Sequence, residues 1–352
     1  MIEPGGSSPD STGPAAVDGA VLPQAGDVET FLAEIGRELE PYLQRAIDRV
    51  APVESLKEGV VFQVLSGGKR IRAALCAAVC ELFGGSYRPA LGFAAALEHL
   101  QNFTLVHDDI ADGDEERRGR ESAWKRFGLA HGVNIGDAFV PLAGAAILET
   151  DLQPDTKLRL FRVLSDYGLE VVEGQSLDIN LRTDDAPSEA AYVACTAKKT
   201  GAFFAIAAVG GGVIGGAEAH QLEELGRFAR EAGVAFQIKD DLLDVVGGKG
   251  RTPGSDVVEG KRTVLAAYAY ERANEREQQR LVDVLNLPRE HTTASDIAWV
   301  HGLYTRTGAR ARAEVAAERR LAAAIDRLQS LPQTAAKYRF LRLCRYLTRR
   351  AV

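Results

Sequence analysis

Sulfur is scarce in this chain: 352 residues contain four cysteines and one methionine. Cys76, Cys80, Cys195 and Cys344 show no CxxC spacing, and so long a chain has interior enough to fold without disulfide staples. Buried free thiols in a reducing cytoplasm are expected. An excess of positive charge is also missing. The 42 Lys and Arg stand against 49 Asp and Glu, a net charge of −7, which offers no field for nucleic acid, so any basic site must be local. No long unbroken hydrophobic run occurs either. The most membrane-like stretch, Gly201 to Ala217, is interrupted by Gly210, Gly211, Gly212, Gly215 and Gly216 and falls short of a span of ~20 residues. It predicts a buried helix running into a loop, in a protein that is not membrane-embedded. A basic n-region followed by an apolar h-region is not seen at the start, so no secretory signal is expected.

Hydrophobic residues make up 46% and charged residues 26%, values of an ordinary globular protein. Residues 1–26 are rich in Gly, Pro, Ser, Ala and Asp without apolar period and predict a disordered leader. From Val28 the texture changes. Phe31, Ile35, Leu39, Leu43 and Ile47 recur at helical spacing, and Ala-rich runs at 73–82 and 94–105 continue the pattern. β-branched alternation is almost absent. Turn clusters at Ser66-Gly67-Gly68, Gly84-Gly85-Ser86, Asp184-Asp185-Ala186-Pro187 and 247–254 punctuate the helices. The pattern predicts an all-α single domain over residues 27–352.

Two acidic motifs stand out. Asp108-Asp109-Ile110-Ala111-Asp112 ends the apolar run Phe103 to Val106, and Asp240-Asp241-Leu242-Leu243-Asp244 follows Phe236-Gln237-Ile238. On a helix, residues i and i+4 lie one above the other, so Asp108 and Asp112 form one carboxylate pair and Asp240 and Asp244 another. Like charges so placed repel, and partial burial raises the cost, so a cation should compensate. Mg²⁺ binds through one or two carboxylates plus substrate phosphates while keeping several waters, so two facing DDxxD clusters suit a Mg²⁺–diphosphate group. One such cluster alone reads more simply as a solvated acidic face; two, each after an apolar helical run, do not.

Basic residues supply the complement. Gly67-Gly68-Lys69-Arg70-Ile71-Arg72 sets three cations at a glycine-marked helix start, where free N–H groups and the helix dipole already favour an anion. Arg117-Arg118, Lys198-Lys199-Thr200 and Lys261-Arg262-Thr263 are singly no more than surface charge, but with the aspartates they make a site for two phosphorylated ligands. Other chemistries lack support. Gly254 and Gly260-Lys261 are spaced wrongly for a phosphate loop, the six histidines have no zinc-ligand spacing, and no GxSxG is present.

At this point the chain resembles the trans-isoprenyl diphosphate synthases, or polyprenyl synthetases, from about Leu56 to the C-terminus. The resemblance is carried by Gly67 to Arg72, Asp108 to Asp112 with Arg117-Arg118-Gly119, Gly136-Asp137, Gly174-Gln175 with Asp178, Lys199-Thr200, Gln237 to Asp244, and Gly254-Ser255-Asp256 with Gly260-Lys261, in that order. It implies an antiparallel helical bundle of isoprenoid-synthase type around a central cavity. It also implies a Mg²⁺-dependent transferase, with three ions per site, that joins isopentenyl diphosphate to an allylic diphosphate by ionisation, condensation and elimination. No protein nucleophile is needed for this.

By the same resemblance, Asp108, Asp112 and Asp240 are metal ligands, with Asp109, Asp241 and Asp244 in the acidic rim. Lys199, Thr200, Gln237, Lys261 and Arg117 contact the allylic diphosphate, and Lys69, Arg72 and Arg118 hold isopentenyl diphosphate. Many members have His where Gln101 stands; Gln still donates a hydrogen bond but brings no charge. Arg120-Glu121-Ser122 departs from the usual basic-Pro-Thr. The helical wheel sets Thr104 nearer the Asp108 face and Phe103 well to the side, so spacing alone does not make Phe103 the floor of the product cavity. The resemblance does: a large residue there, a small one at Thr104 and no insertion inside the first motif look like archaeal-type geranylgeranyl synthases. A farnesyl or longer product, a non-catalytic prenyl-diphosphate-binding subunit and a class I terpene cyclase are the alternatives. A homodimer is implied, and 247–260, with Lys249, Arg251 and Lys261, is expected to close over the diphosphates.

Overall fold

A computed structural model describes residues 26–50, 53–247 and 253–348. The expected leader falls outside these residues apart from Gly26, and so do Lys249 and Arg251 of the expected closing loop.

The chain is helical almost throughout, as its periodicity predicts. The α-helices are, in order, α1 Gly26–Arg49, α2 Glu54–Val64, α3 Ile71–Gly84, α4 Leu91–Asp112, α5 Ala123–Phe127, α6 Leu129–Leu148, α7 Pro154–Leu181, α8 Glu189–Thr196 and α9 Ala202–Gly215. They continue as α10 Ala219–Val246, α11 Ser255–Val258, α12 Val264–Arg272, α13 Glu275–Leu285, α14 Ala294–Arg306, α15 Ala309–Asp326 and α16 Ala335–Thr348. In α1 the apolar stripe Phe31, Ile35, Leu39, Leu43 and Ile47 is buried along its whole length, the one-faced pattern of an outer helix.

Helices α3 and α9 are different: α9 is apolar on every side, α3 has only Arg72 and Glu81 as charged residues, and together they form the centre. Small residues make this possible, because a Cβ on Gly211 would lie 2.3 Å from the Cys76 carbonyl oxygen. The stretch that most resembles a membrane span is thus the middle of the bundle. Two segments, Leu129–Leu148 and Glu189–Gly215, are long and apolar enough to cross a membrane by length and composition, and the second is mostly buried within the protein.

Helix α4 packs on α6, and α10 packs on α9 and α15. The core has two hydrophobic clusters, and α10 runs through both, giving Phe228 and Ala232 to one and Ile238 and Leu242 to the other. The only strands among the described residues are β1 Glu116–Arg117 and β2 Arg120–Glu121, an antiparallel hairpin not foreseen from the sequence. Its turn residues Arg118 and Gly119 have φ of +57° and +73°, which is the turn geometry that matches strand twist in a two-residue hairpin.

Candidate active site

Both acidic motifs lie in the last turns of long helices, Asp108 to Asp112 at the end of α4 and Asp240 to Asp244 at the end of α10. A helix C-terminus already carries partial negative charge, so carboxylates there are doubly unfavourable and call for cations. The protein supplies them. Arg182 at the end of α7 donates from Nη2 to Asp112 Oδ1 at 2.6 Å, while Lys261 Nζ stands 3.5 Å from Asp112 Oδ2. Burial would raise the Asp112 carboxyl, but Lys261, Arg182 and Lys199 outweigh it and hold it below the usual carboxylate range. For Asp108 burial wins over Lys199, and its carboxyl is raised.

The middle aspartate of each motif is anchored. Asp109 is 1% exposed, and burial pushes its carboxyl up to about 7 although Arg117 Nε is bonded to Oδ1. Its Oδ2 has no hydrogen-bond partner. Asp241 accepts from Tyr192 Oη at 2.7 Å and from Gln237 Nε2 at 3.0 Å, and Gln237 in turn accepts from Thr200 Oγ1 at 3.0 Å. Burial again raises the carboxyl, against those two bonds.

Asp244 departs from the expected carboxylate pair. It is buried and accepts from the backbone N–H of Ser255 at 3.1 Å and of Asp256 at 3.3 Å, as well as from the Ser255 hydroxyl. This carboxylate fixes the start of α11, so Asp240 and Asp244 do not act as one exposed pair. The physical reason is that the chain folds back after α10 and brings unpaired N–H groups to the nearest acceptor.

Lys199 and Thr200 sit in a π-helical turn, Ala197–Gly201, between α8 and α9. Two glycines let neighbouring backbones press on that turn. A Cβ on Gly174 of α7 would be 2.2 Å from the Lys199 nitrogen, and one on Gly233 of α10 would be 2.5 Å from the Gly201 Cα. So held, Lys199 Nζ reaches Asp178 Oδ2 at 2.8 Å. Asp178 also lies 3.5 Å from Arg182, and its carboxyl is lowered because Lys199 and Lys261 overcome burial.

Lys261 stands between the acidic end of α4 and the carboxylates at α11. Besides Asp112 it lies 3.8 Å from Asp256 and is ion-paired with Glu259, and its charge weakly opposes the burial that raises Asp241. Its neighbour Arg262 is buried and donates to the carbonyls of Asp184 at 3.0 Å, Gly260 at 2.8 Å and Leu285 at 3.1 Å, which fixes the loop. Arg289 closes the outer side: it bonds Asp114 at 2.5 Å and lies 3.8 Å from Glu259. Between Asp112, Arg182, Glu259 and Arg289 a cavity of about 430 Å³ opens outward.

The other basic residues gather at the start of α3. Arg70 takes a left-handed backbone with φ of +50° and pairs with Glu98 at 2.5 Å. Lys69 and Arg72 flank it, and the Arg72 guanidinium lies over the rings of Phe203 and Phe204, 4.7 and 5.7 Å from their centroids. Arg118 bends over the glycine loop, bonding the Gly67 carbonyl and, at 3.3 Å, the Ser66 hydroxyl. Gln101 and Phe103 lie further up α4. Gln101 Nε2 is 3.5 Å from Thr104 Oγ1, and the Phe103 ring meets His107 edge-on at 4.7 Å. His107 faces Val133 and Asp137 of α6, so Phe103 is on the α6 side of α4.

Every donor that the acidic ends offer is a carboxylate oxygen, a set that suits a hard divalent ion. Among the described residues no three acidic, His or Cys side chains converge into a ready-made cage. Tyr192, Arg182, Glu259 and Arg289 were missed in the sequence. Of these, only Arg182 has a local signal, its i+4 spacing from Asp178.

The bundle and its paired acidic helix ends define the class as an all-α isoprenoid-synthase fold. The polyprenyl synthetase family matches residues 54–302, and the chain belongs to that family. A short chain isoprenyl diphosphate synthase of Methanothermobacter thermautotrophicus is 32% identical over 314 residues, which is 88% of this chain and 95% of that protein. Among solved structures, a geranylgeranyl pyrophosphate synthetase from Pyrococcus horikoshii superposes with a TM-score of 0.84 at 29% identity, covering 92% of this chain and all of that one. A geranylgeranyl pyrophosphate synthase from Corynebacterium glutamicum, complexed with isoprenyl diphosphate and magnesium, gives 0.82 at 26% identity, covering 92% and 100%.

Proposed function

We propose that this protein is a cytoplasmic, Mg²⁺-dependent prenyltransferase that condenses isopentenyl diphosphate head-to-tail with an allylic diphosphate, with geranylgeranyl diphosphate as main product. The observation that carries the reading is the pair of acidic helix ends with Lys261 nearby, 3.5 Å from Asp112 of α4 and 3.8 Å from Asp256 of α11, whose backbone N–H bonds Asp244 at the end of α10. Magnesium, when bound through Asp108, Asp112 and Asp240, would neutralise charge gathering on the departing diphosphate. Three ions per site is the family's usual number and is part of the proposal. Lys199, Thr200, Gln237, Arg117 and Lys261 would orient the allylic diphosphate. Lys69, Arg72, Arg118 and Gln101 would hold isopentenyl diphosphate with its double bond toward the allylic carbon. The new C–C bond leaves a tertiary cation, which loses a proton to the released diphosphate. Asp109, Asp241 and Asp244 brace the site from behind.

A homodimer is part of the same reading. Leu129, Val133, Val140 and Leu148 of α6, with Leu158, Leu169 and Val172 of α7, are large apolar side chains on the outside. So many on two adjacent helices favour a covered face.

The test is direct: Mg²⁺ and isopentenyl diphosphate are incubated with dimethylallyl, geranyl or farnesyl diphosphate, and the products are weighed after phosphatase treatment. Linear geranylgeraniol is expected. With Phe103 as floor and Thr104 beside it, Phe103→Ala should lengthen the product by at least one isoprene unit, because a helical turn is about 5.4 Å. A twenty-carbon product unchanged by the substitution would remove Phe103 from the floor, and no linear product from any starter would overturn the reaction itself.

A further inference from the structure

Arg182 is the cation whose position the proposed reaction does not yet explain. It ends α7 four residues after Asp178, so a bond within its own helix would account for it. The distances say otherwise: Nη2 is 3.5 Å from Asp178 Oδ2 and 2.6 Å from Asp112 Oδ1, across the gap to α4. Asp178 already has Lys199 at 2.8 Å. Both side chains of the Arg182–Asp112 pair are withdrawn from solvent, at 19% and 5% exposure, so the contact is little weakened by water.

The two oxygens of Asp112 therefore have different neighbours. Oδ1 is taken by a planar guanidinium, and Oδ2 has the Lys261 ammonium at 3.5 Å. A guanidinium donates in fixed directions and so holds a carboxylate plane; an ammonium is a point charge that swings with its stem. We propose that Arg182 is a positioning residue, which fixes Asp112 through Oδ1 and keeps Oδ2 available to a divalent cation. Without it, Asp112 has Lys261 as its nearest remaining cation. The two then pair closely, and that single contact withdraws a ligand from the metal and a donor from the allylic diphosphate. Repulsion between Arg182 and the ion acts in the opposite sense, so the sign of the effect decides the matter.

This inference rests on the reading above as a metal-dependent synthase. Mn²⁺ binding in the presence of inorganic diphosphate is followed by electron paramagnetic resonance for the wild type, Arg182→Ala and Arg182→Lys, alongside Mg²⁺-dependent turnover. Outer-shell partners of metal ligands are worth 10–100-fold in affinity. Arg182→Ala should weaken Mn²⁺ binding and raise half-saturating Mg²⁺ by about tenfold or more. It should also raise KM for the allylic diphosphate, leave KM for isopentenyl diphosphate within about twofold, and be partly restored in Arg182→Lys. Unchanged or tighter metal binding in a variant with native circular dichroism would overturn the role. If Arg182→Ala does not fold, Arg182→Lys decides alone, since loss of the fork should still shift metal affinity. A wild type that neither binds Mn²⁺ with diphosphate nor turns over would instead defeat the underlying reading.

Discussion

His99 is wholly buried against Phe139, with ring centroids 6.0 Å apart, and neither ring nitrogen has a hydrogen-bond partner. Burial, helped by the charge of Arg70, pulls its pKa down to about 4. In the unfolded chain the imidazole titrates near 6.5, so between the two values the unfolded state binds a proton that the folded state refuses. Stability must then fall as pH drops from about 6.5 to about 4, by about 3 kcal/mol for this one residue. His99→Leu, close in volume, should flatten that part of the profile; urea midpoints of both proteins at pH 7 and pH 4.5 give the comparison, and parallel declines would exclude His99 as the cause. Legibility at this scale followed sequence distance. The aspartate motifs could be read because their members are neighbours, whereas Tyr192 is 49 residues from Asp241, Arg182 is 70 from Asp112 and Arg289 is 175 from Asp114. No spacing rule reaches that far.

Among the elements, the π turn Ala197–Gly201 was invisible in advance, since nothing in Lys198-Lys199-Thr200 distinguishes it from ordinary helix. What fixes it is contact: α7 and α10 bring bare backbone at Gly174 and Gly233 against it. Gly174→Ala would place a methyl at 2.2 Å from a backbone nitrogen, where no side chain can rotate away. The cost should be in the range of about 1–3 kcal/mol or more, as for an overpacked core. Thermal melting should show that loss together with a raised KM for the allylic diphosphate; a variant with native melting and kinetics would mean the turn is not held this way. Helix boundaries, by contrast, were legible where a turn cluster marked them, as at Gly84-Gly85-Ser86, where α3 ends and Gly85 is a left-handed cap. The small hairpin was not, because two-residue strands leave no periodicity to detect.

For the molecule as a whole, the all-α architecture was readable from apolar spacing alone, and the most hydrophobic stretch became its centre. The outward apolar faces of α6 and α7 were not readable, because a helix covered by a partner has the same pattern as one covered by its own chain. Val140 and Leu169 are 47% and 62% exposed, so an acidic residue at either costs little in an isolated subunit and much in a dimer. Val140→Asp with Leu169→Asp should halve the mass measured by light scattering while helicity is kept; an unchanged mass would place any interface elsewhere. Arg117 points to the acidic end of α4 and Arg118, the next residue, to the glycine loop before α3. If Arg117 grips the allylic diphosphate and Arg118 isopentenyl diphosphate, as proposed, the two grips share one hairpin joint two residues long. In that reading the spacing between the carbons to be joined would be a matter of construction rather than of chance encounter.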